Sequence, residues 1–232
     1  MCFSPHVSLA TAVIEFVLGS IILFKYRKSL VAFFSSIMVF LLGTYQFTEF
    51  MVCTSGDPIL WSSVGFATYT LLPVLALHFM IRLTGEKVYA PFLYLPAIYY
   101  GLMPLLTKSF ILSASCHTVF ISVQNTLFVT RGVGFFLYNV YYFGYLILAC
   151  YLLWKKYKIE KNKKQQDLYV LLFAAIIVMT LPPVFLFLVF PAFKIVFPSL
   201  YCEFAVLFAI MAFAAVIMDS TSSRNVRRRK RA

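Results

Sequence analysis

Acidic side chains are scarce in this chain, with eight Asp and Glu in 232 residues against 20 Lys and Arg. Charged residues make up 12% and histidines number three. So little polarity cannot clothe a water-soluble globule of this length, and 62% hydrophobic residues point to a membrane protein instead. Glycine-rich phosphate loops and Ser/His/Asp arrangements are missing, so the sequence calls for no cofactor, nucleotide site or hydrolytic triad. Every lysine lies at the edge of an apolar stretch or in a loop, which excludes a retinal Schiff base. His6, His78 and His117 are too few and too dispersed for an intramembrane zinc hydrolase. The acidic-Arg-aromatic and Asn-Pro-x-x-Tyr signatures of G-protein-coupled receptors are also lacking.

What is present is a series of seven apolar stretches, near 7–24, 30–52, 61–81, 88–106, 132–154, 168–190 and 198–218. A bilayer core of about 30 Å needs about 20 helical residues, and each stretch is close to that. The expected fold is all-α: a polytopic seven-transmembrane-helix bundle, because hydrocarbon offers backbone groups no other partner. Of the 20 Lys and Arg, all but Lys108, Arg131 and Lys194 fall in the first, third and fifth connections or the tail. The positive-inside rule then places the N-terminus outside and the C-terminus in the cytoplasm. Residues 1–219 read as one membrane domain and 220–232 as a basic cytoplasmic tail. That tail is expected to attract anionic inner-leaflet lipids, which accounts for the net charge of +12 without nucleic acid. Lys25–Lys28 follow the first stretch instead of preceding it, so an uncleaved signal anchor in a plasma membrane is expected.

The longest connection, 107–131, falls on the outer side. Its core from His117 to Val129 is β-branched and aromatic with a Gln124-Asn125 break, which predicts a short β-hairpin over the outer mouth of the bundle. Prolines punctuate the spans at Pro73, Pro96, Pro104 and Pro182-Pro183, with Leu181-Pro182-Pro183 the strongest kink candidate. Cys2, Cys53, Cys116 and Cys202 all map to the outer side, where an oxidising compartment permits disulfides. Three pairings are open to four cysteines. Cys53 with Cys116 is favoured because both lie in or beside outer loops. Free packed thiols are the second reading. A metal site from Cys2, His6, Cys116 and His117 is the third, but it lacks C-x-x-C spacing, so no metal is assigned.

Three carboxyls fall inside stretches: Glu15 near mid-depth of the first, Glu49 in the outer part of the second, and Glu203 early in the last. A charge at the bilayer centre costs about 2.5–3.5 kcal/mol on insertion scales, so such groups turn inward and find partners. No Lys or Arg lies at matching depth. The carboxyls are then protonated, bonded to Gln46 and nearby hydroxyls, or bound to an external cation. The plainer reading lets Glu49 and Glu203 meet interfacial water. Gln46 and Glu49, three apart, share one helical face.

The opening Met1-Cys2-Phe3-Ser4-Pro5-His6-Val7-Ser8 resembles uncharacterised prokaryotic membrane proteins that begin Met-Cys-Phe-Ser or Met-Cys-Trp-Ser. The likeness extends to Gly43-Thr44-Tyr45-Gln46-Phe47-Thr48-Glu49 and to Pro198-Ser199-Leu200-Tyr201-Cys202-Glu203-Phe204-Ala205. A second stretch, Leu71-Leu72-Pro73 through His78-Phe79 to Leu83-Thr84-Gly85, is similar to the seven-span sensory region of bacterial histidine kinases. That similarity implies a sensor, and the expected output is to a separate cytoplasmic signalling partner through the basic loops. In a ring of seven helices the first, second and last are neighbours. Cys2, Ser4, His6, Glu15, Gln46, Glu49, Cys202 and Glu203 are therefore the candidate ligand-binding residues of one outer site. The leading expectation is a receptor- or sensor-like protein for a small molecule or ion. The alternatives are a small-solute or cation transporter using the glutamates, and an enzyme using Cys2 or Ser4 as nucleophile, the less favoured of the two.

Overall fold

The computed structural model describes residues 5–116, 121–184 and 201–229, the side chains of 183, 201–203 and 222–229 excepted. Helix α1 spans Pro5–Lys25 and α2 spans Leu30–Thr54. Ser29 starts α2 as its N-cap, its Oγ accepting from the Ala32 amide at 3.1 Å. The same hydroxyl donates to Asp219 Oδ2 at 2.6 Å. Asp57 caps α3 (Pro58–Thr70) through the Leu60 amide at 2.9 Å, with Pro58 in the first turn. Helix α4 (Leu72–Thr84) continues the same span after a break at Leu71. Pro73 has no N–H to give, and Leu71 N bonds back to Thr68 O at 3.2 Å, a three-residue turn that tightens the helix there. Gly85 closes α4 with φ of 79°, a left-handed cap that a side chain would strain.

Helix α5 covers Ala90–Leu106 and carries Pro96 and Pro104 within it. Strands β1 (Ile111–Cys116) and β2 (Ile121–Asn125) pair antiparallel, and the short α6 (Thr126–Thr130) follows. Long helices α7 (Val133–Ile159), α8 (Lys163–Val184) and α9 (Tyr201–Arg229) complete the described chain. Among the described residues, six stretches are long and apolar enough to cross a membrane: α1, α2, α3 with α4, α7, α8 and α9. Helix α5, with 17 residues, is shorter, about 25 Å at 1.5 Å per residue.

One expectation needs correction. The Gln124-Asn125 pair is no turn: Gln124 and Asn125 lie in β2 opposite Ser113 and Ile111. Asn125 instead caps α6, its Oδ1 accepting from the Phe128 amide at 2.9 Å. The third span, expected near 61–81 with Pro73 as a possible bend, is interrupted at Leu71. The backbone stays helical through to Arg229. The Leu181-Pro182-Pro183 kink falls at the end of the described part of α8, and the residues beyond it are outside the described residues.

Helix α2 is central. It packs against α1, α3, α4 and α9, and α1 also touches α9, closing the ring between first and last helices. The interior toward the β1–β2 end is aromatic. Phe66 meets Phe110 at 5.0 Å and Tyr138 at 5.6 Å between ring centroids. The two strands lie against the ends of α2 and α3. A Cys53–Cys116 disulfide, Cα–Cα 5.2 Å, ties β1 to the end of α2. The opposite end carries the basic connections, where Lys155 pairs with Glu86 at 3.0 Å in an exposed contact between the ends of α7 and α4.

Candidate functional site

Ser8, Thr11 and Glu15 recur on one face of α1 and are all buried. The spacing explains this, since seven residues at 100° each bring Ser8 and Glu15 to within about 20° around the axis. The same arithmetic turns His6 to the opposite side of α1 from Glu15, and His6 is exposed. It departs from the site expected to include it. On α2, Tyr45, Gln46, Thr48 and Glu49 are buried together. Ser8 Oγ donates to Glu49 Oε2 at 3.3 Å, joining the two helices. The Tyr45 hydroxyl, one turn back along α2, also hydrogen-bonds Glu49. Glu49 therefore points into the bundle and not toward lipid headgroups.

Glu15 is fully buried, and neither of its carboxyl oxygens has a hydrogen-bond partner among the described residues. It lies within electrostatic reach of Glu49. No Lys or Arg is buried among the described residues, so neither carboxyl meets a fixed interior cation there. The helices approach closely at this level. A Cβ added to Gly43 would come within 3.1 Å of the Phe16 ring and 3.2 Å of Glu15 Cβ. On the far side of α2, the hydroxyl of Ser62 is also buried without a partner among the described residues.

Of the remaining candidates, Cys2 and Ser4 lie outside the described residues. Cys202 and Glu203 fall in the first turn of α9, whose side chains there are likewise outside the description. Cys116 is bonded to Cys53, so it has no thiolate to offer the metal set with Cys2, His6 and His117. Cys150 is a free, half-buried thiol on α7.

Sequence reasoning missed a buried set of tyrosines that runs inward from Glu49. Tyr45 packs edge-on to Tyr69 at 5.9 Å, and Tyr69 to Tyr142 at 6.4 Å. Tyr138 and Thr70 share a hydroxyl bond at 3.2 Å. The Tyr141 hydroxyl donates to the Thr70 carbonyl at 2.6 Å. The signal was there to find: Tyr138, Tyr141, Tyr142 and Tyr145 follow the i, i+3, i+4, i+7 spacing of one helical face.

Long apolar helices around an interior that holds two carboxyls define a multi-pass α-helical membrane protein. The model of one family, the N-terminal 7TM region of histidine kinase, matches residues 7–221, and the chain belongs to that family. Membership makes it a membrane protein of the sensor or receptor kind, in keeping with the plasma membrane. The match begins at residue 7 and lends no support to the Met-Cys-Phe-Ser opening as a family mark. No curated protein and no solved structure matches the chain.

Proposed function

We propose that this protein senses a small molecule or ion at a polar site between the first, second and last spans, near the β1–β2 end of the bundle. In this reading α5 is the seventh crossing, the β1–β2 end faces outward, and the basic connections face the cytoplasm. Output passes through that basic end to a kinase domain or a separate signalling partner. The observation that carries the reading is Glu15, fully buried with both oxygens unpartnered among the described residues, beside an inward-facing Glu49. An uncompensated carboxyl inside a membrane is costly, and such groups mark ligand or ion sites by default.

The test is thermal unfolding of the purified protein in nanodiscs against panels of cations, amines and neutral solutes. A ligand at about 100 times its Kd stabilises by about 2.7 kcal/mol, which is a readable shift. The expected result is a shift in wild type that Glu15→Gln and Glu49→Gln both abolish. A shift that survives both substitutions, or none from any solute, overturns the site. Two carboxyls at different depths, Glu15 mid-helix and Glu49 near the end of α2, also suit a cation path. Uptake of labelled solute into proteoliposomes would favour that transporter reading.

A further inference from the structure

We infer that the outward face of α7, from Gly144 to Lys158, seats an anionic phospholipid of the leaflet at the basic end of the bundle. The inference goes beyond the proposed sensing site and does not depend on it. Shape, depth and charge converge on it.

Val140, Ile147, Leu148, Tyr151 and Trp154 are between 44% and 69% exposed. At 100° per residue they fall within about 120° of one another around the axis, one continuous stripe. Tyr138, Tyr142, Ala149 and Leu153, buried in the bundle, lie on the opposite side. Gly144 falls on the stripe, and a Cβ added there would meet no described atom within 4 Å. Val140, Ile147, Leu148 and Tyr151 stand around it at i−4, i+3, i+4 and i+7, which makes an apolar recess on the bilayer side. Ten residues separate Gly144 from Trp154, about 15 Å along the axis, or half of a bilayer core. With the Trp154 indole at the interface, where such rings settle, Gly144 lies near the midplane. The stripe between them therefore spans the acyl chains of a single leaflet.

The stripe ends in charge. Lys155 and Lys158 continue it, and Lys158 Nζ rests over the Trp154 ring, 3.8 Å from the centroid. Residues 155–164 hold six lysines and one acidic residue, Glu160. Glu160 Oε1 accepts from the backbone amides of Lys161 and Asn162, at 3.0 Å each, and pairs with no lysine side chain among the described residues. Glu86 engages Lys155, and Asp167 engages Lys163. Lys156, Lys158, Lys161 and Lys164 are left without a carboxylate partner among the described residues. A phosphodiester at the level of Trp154 supplies the missing charge, with its acyl chains running back along the stripe to Gly144. One molecule then answers both ends. A soluble anion leaves the recess unfilled, and a zwitterionic lipid brings its own cation to the lysines.

The chain has two tryptophans, Trp61 and Trp154, so Trp61→Phe isolates the fluorescence of Trp154. The experiment is quenching of that fluorescence in the full chain, reconstituted in phosphatidylcholine vesicles. A minor fraction of the lipid is chain-brominated phosphatidylglycerol or, separately, chain-brominated phosphatidylcholine. Phosphatidylglycerol should quench with an apparent affinity about fivefold higher, the effect of one lysine at an anionic surface. Lys158→Gln should return that ratio to near one. Gly144→Leu keeps every charge and fills the recess, and it should lower the excess quenching by phosphatidylglycerol. Lys25→Gln, on another basic connection, should leave the ratio unchanged. Equal quenching by the two lipids, or a preference that Lys158→Gln does not move, overturns the inference. A preference that Gly144→Leu leaves whole means diffuse attraction and overturns the seated lipid. Loss of the preference on exchanging chloride for inorganic phosphate at equal ionic strength means a soluble-anion site, and also overturns it. So does an absence of quenching by either lipid, which means that a second copy of the chain covers the face.

Discussion

The hydroxyl of Tyr141 sits at the backbone ladder between Thr70 and Val74, donating to the Thr70 carbonyl at 2.6 Å with the Val74 amide nearby. In an unbroken helix those two groups would bond each other directly. Pro73 removes the neighbouring donor and opens the helix at Leu71, and a side chain from α7 occupies the gap. The break is thus held by a residue 71 positions away in the chain.

Tyr141→Phe leaves the ring and removes the oxygen. It strands the buried Thr70 carbonyl, which costs about 1–3 kcal/mol. Thermal unfolding in nanodiscs should show the loss. An unchanged Tm would mean that Thr70 and Val74 bond each other once the hydroxyl is gone.

Gly65 lets α3 come close to α2. A Cβ there would lie 2.7 Å from Thr48 Oγ1. Gly65→Ala should destabilise by about 1–3 kcal/mol through overpacking. Removing the obstructing oxygen in the Gly65→Ala/Thr48→Ala double variant should restore most of that. A double variant no better than the single one contradicts the contact.

Cys53→Ser opens a disulfide that spans 63 residues. The expected loss is about 2–4 kcal/mol, seen equally in Cys116→Ser and in wild type under strong reductant. Additivity of the two single substitutions would argue against a bond between them.

Asn162→Cys in a Cys2→Ser/Cys150→Ser/Cys202→Ser background should resist a membrane-impermeant maleimide in intact cells and label after permeabilisation. Strong labelling of intact cells would invert the proposed orientation.

How much of this was legible in the sequence depended on how local the cause was. Chain-local patterns gave the apolar helices, and the position of Cys53 and Cys116 beside outer loops singled out their pairing among three. The burial of Glu15 and Glu49 followed from the cost of charge in hydrocarbon. The strands were misplaced because Ile111–Cys116 is rich in Ser and Ala, so its alternation of Leu112, Ala114 and Cys116 with Ser113 and Ser115 is only weakly apolar. Asn125 looked like turn chemistry, but it caps a five-residue helix that no periodicity reveals. The break at Leu71 had a visible proline and an invisible partner, since nothing near Pro73 in sequence points to Tyr141. His6 was assigned by its distance along the chain, and the helix turned it the other way.

Helix α2 begins at Ser29, bonded to Asp219 near the far end of α9, and carries Glu49 five residues before its own end. Its 25 residues run without interruption for about 37 Å. The neighbouring span, formed by α3 and α4, is jointed at Leu71. A push applied at the carboxyl level would therefore be absorbed as bending by the jointed span and transmitted as axial travel by the intact one. Ser29 and Asp219 stand where that travel arrives, on the helix that continues out through the arginines.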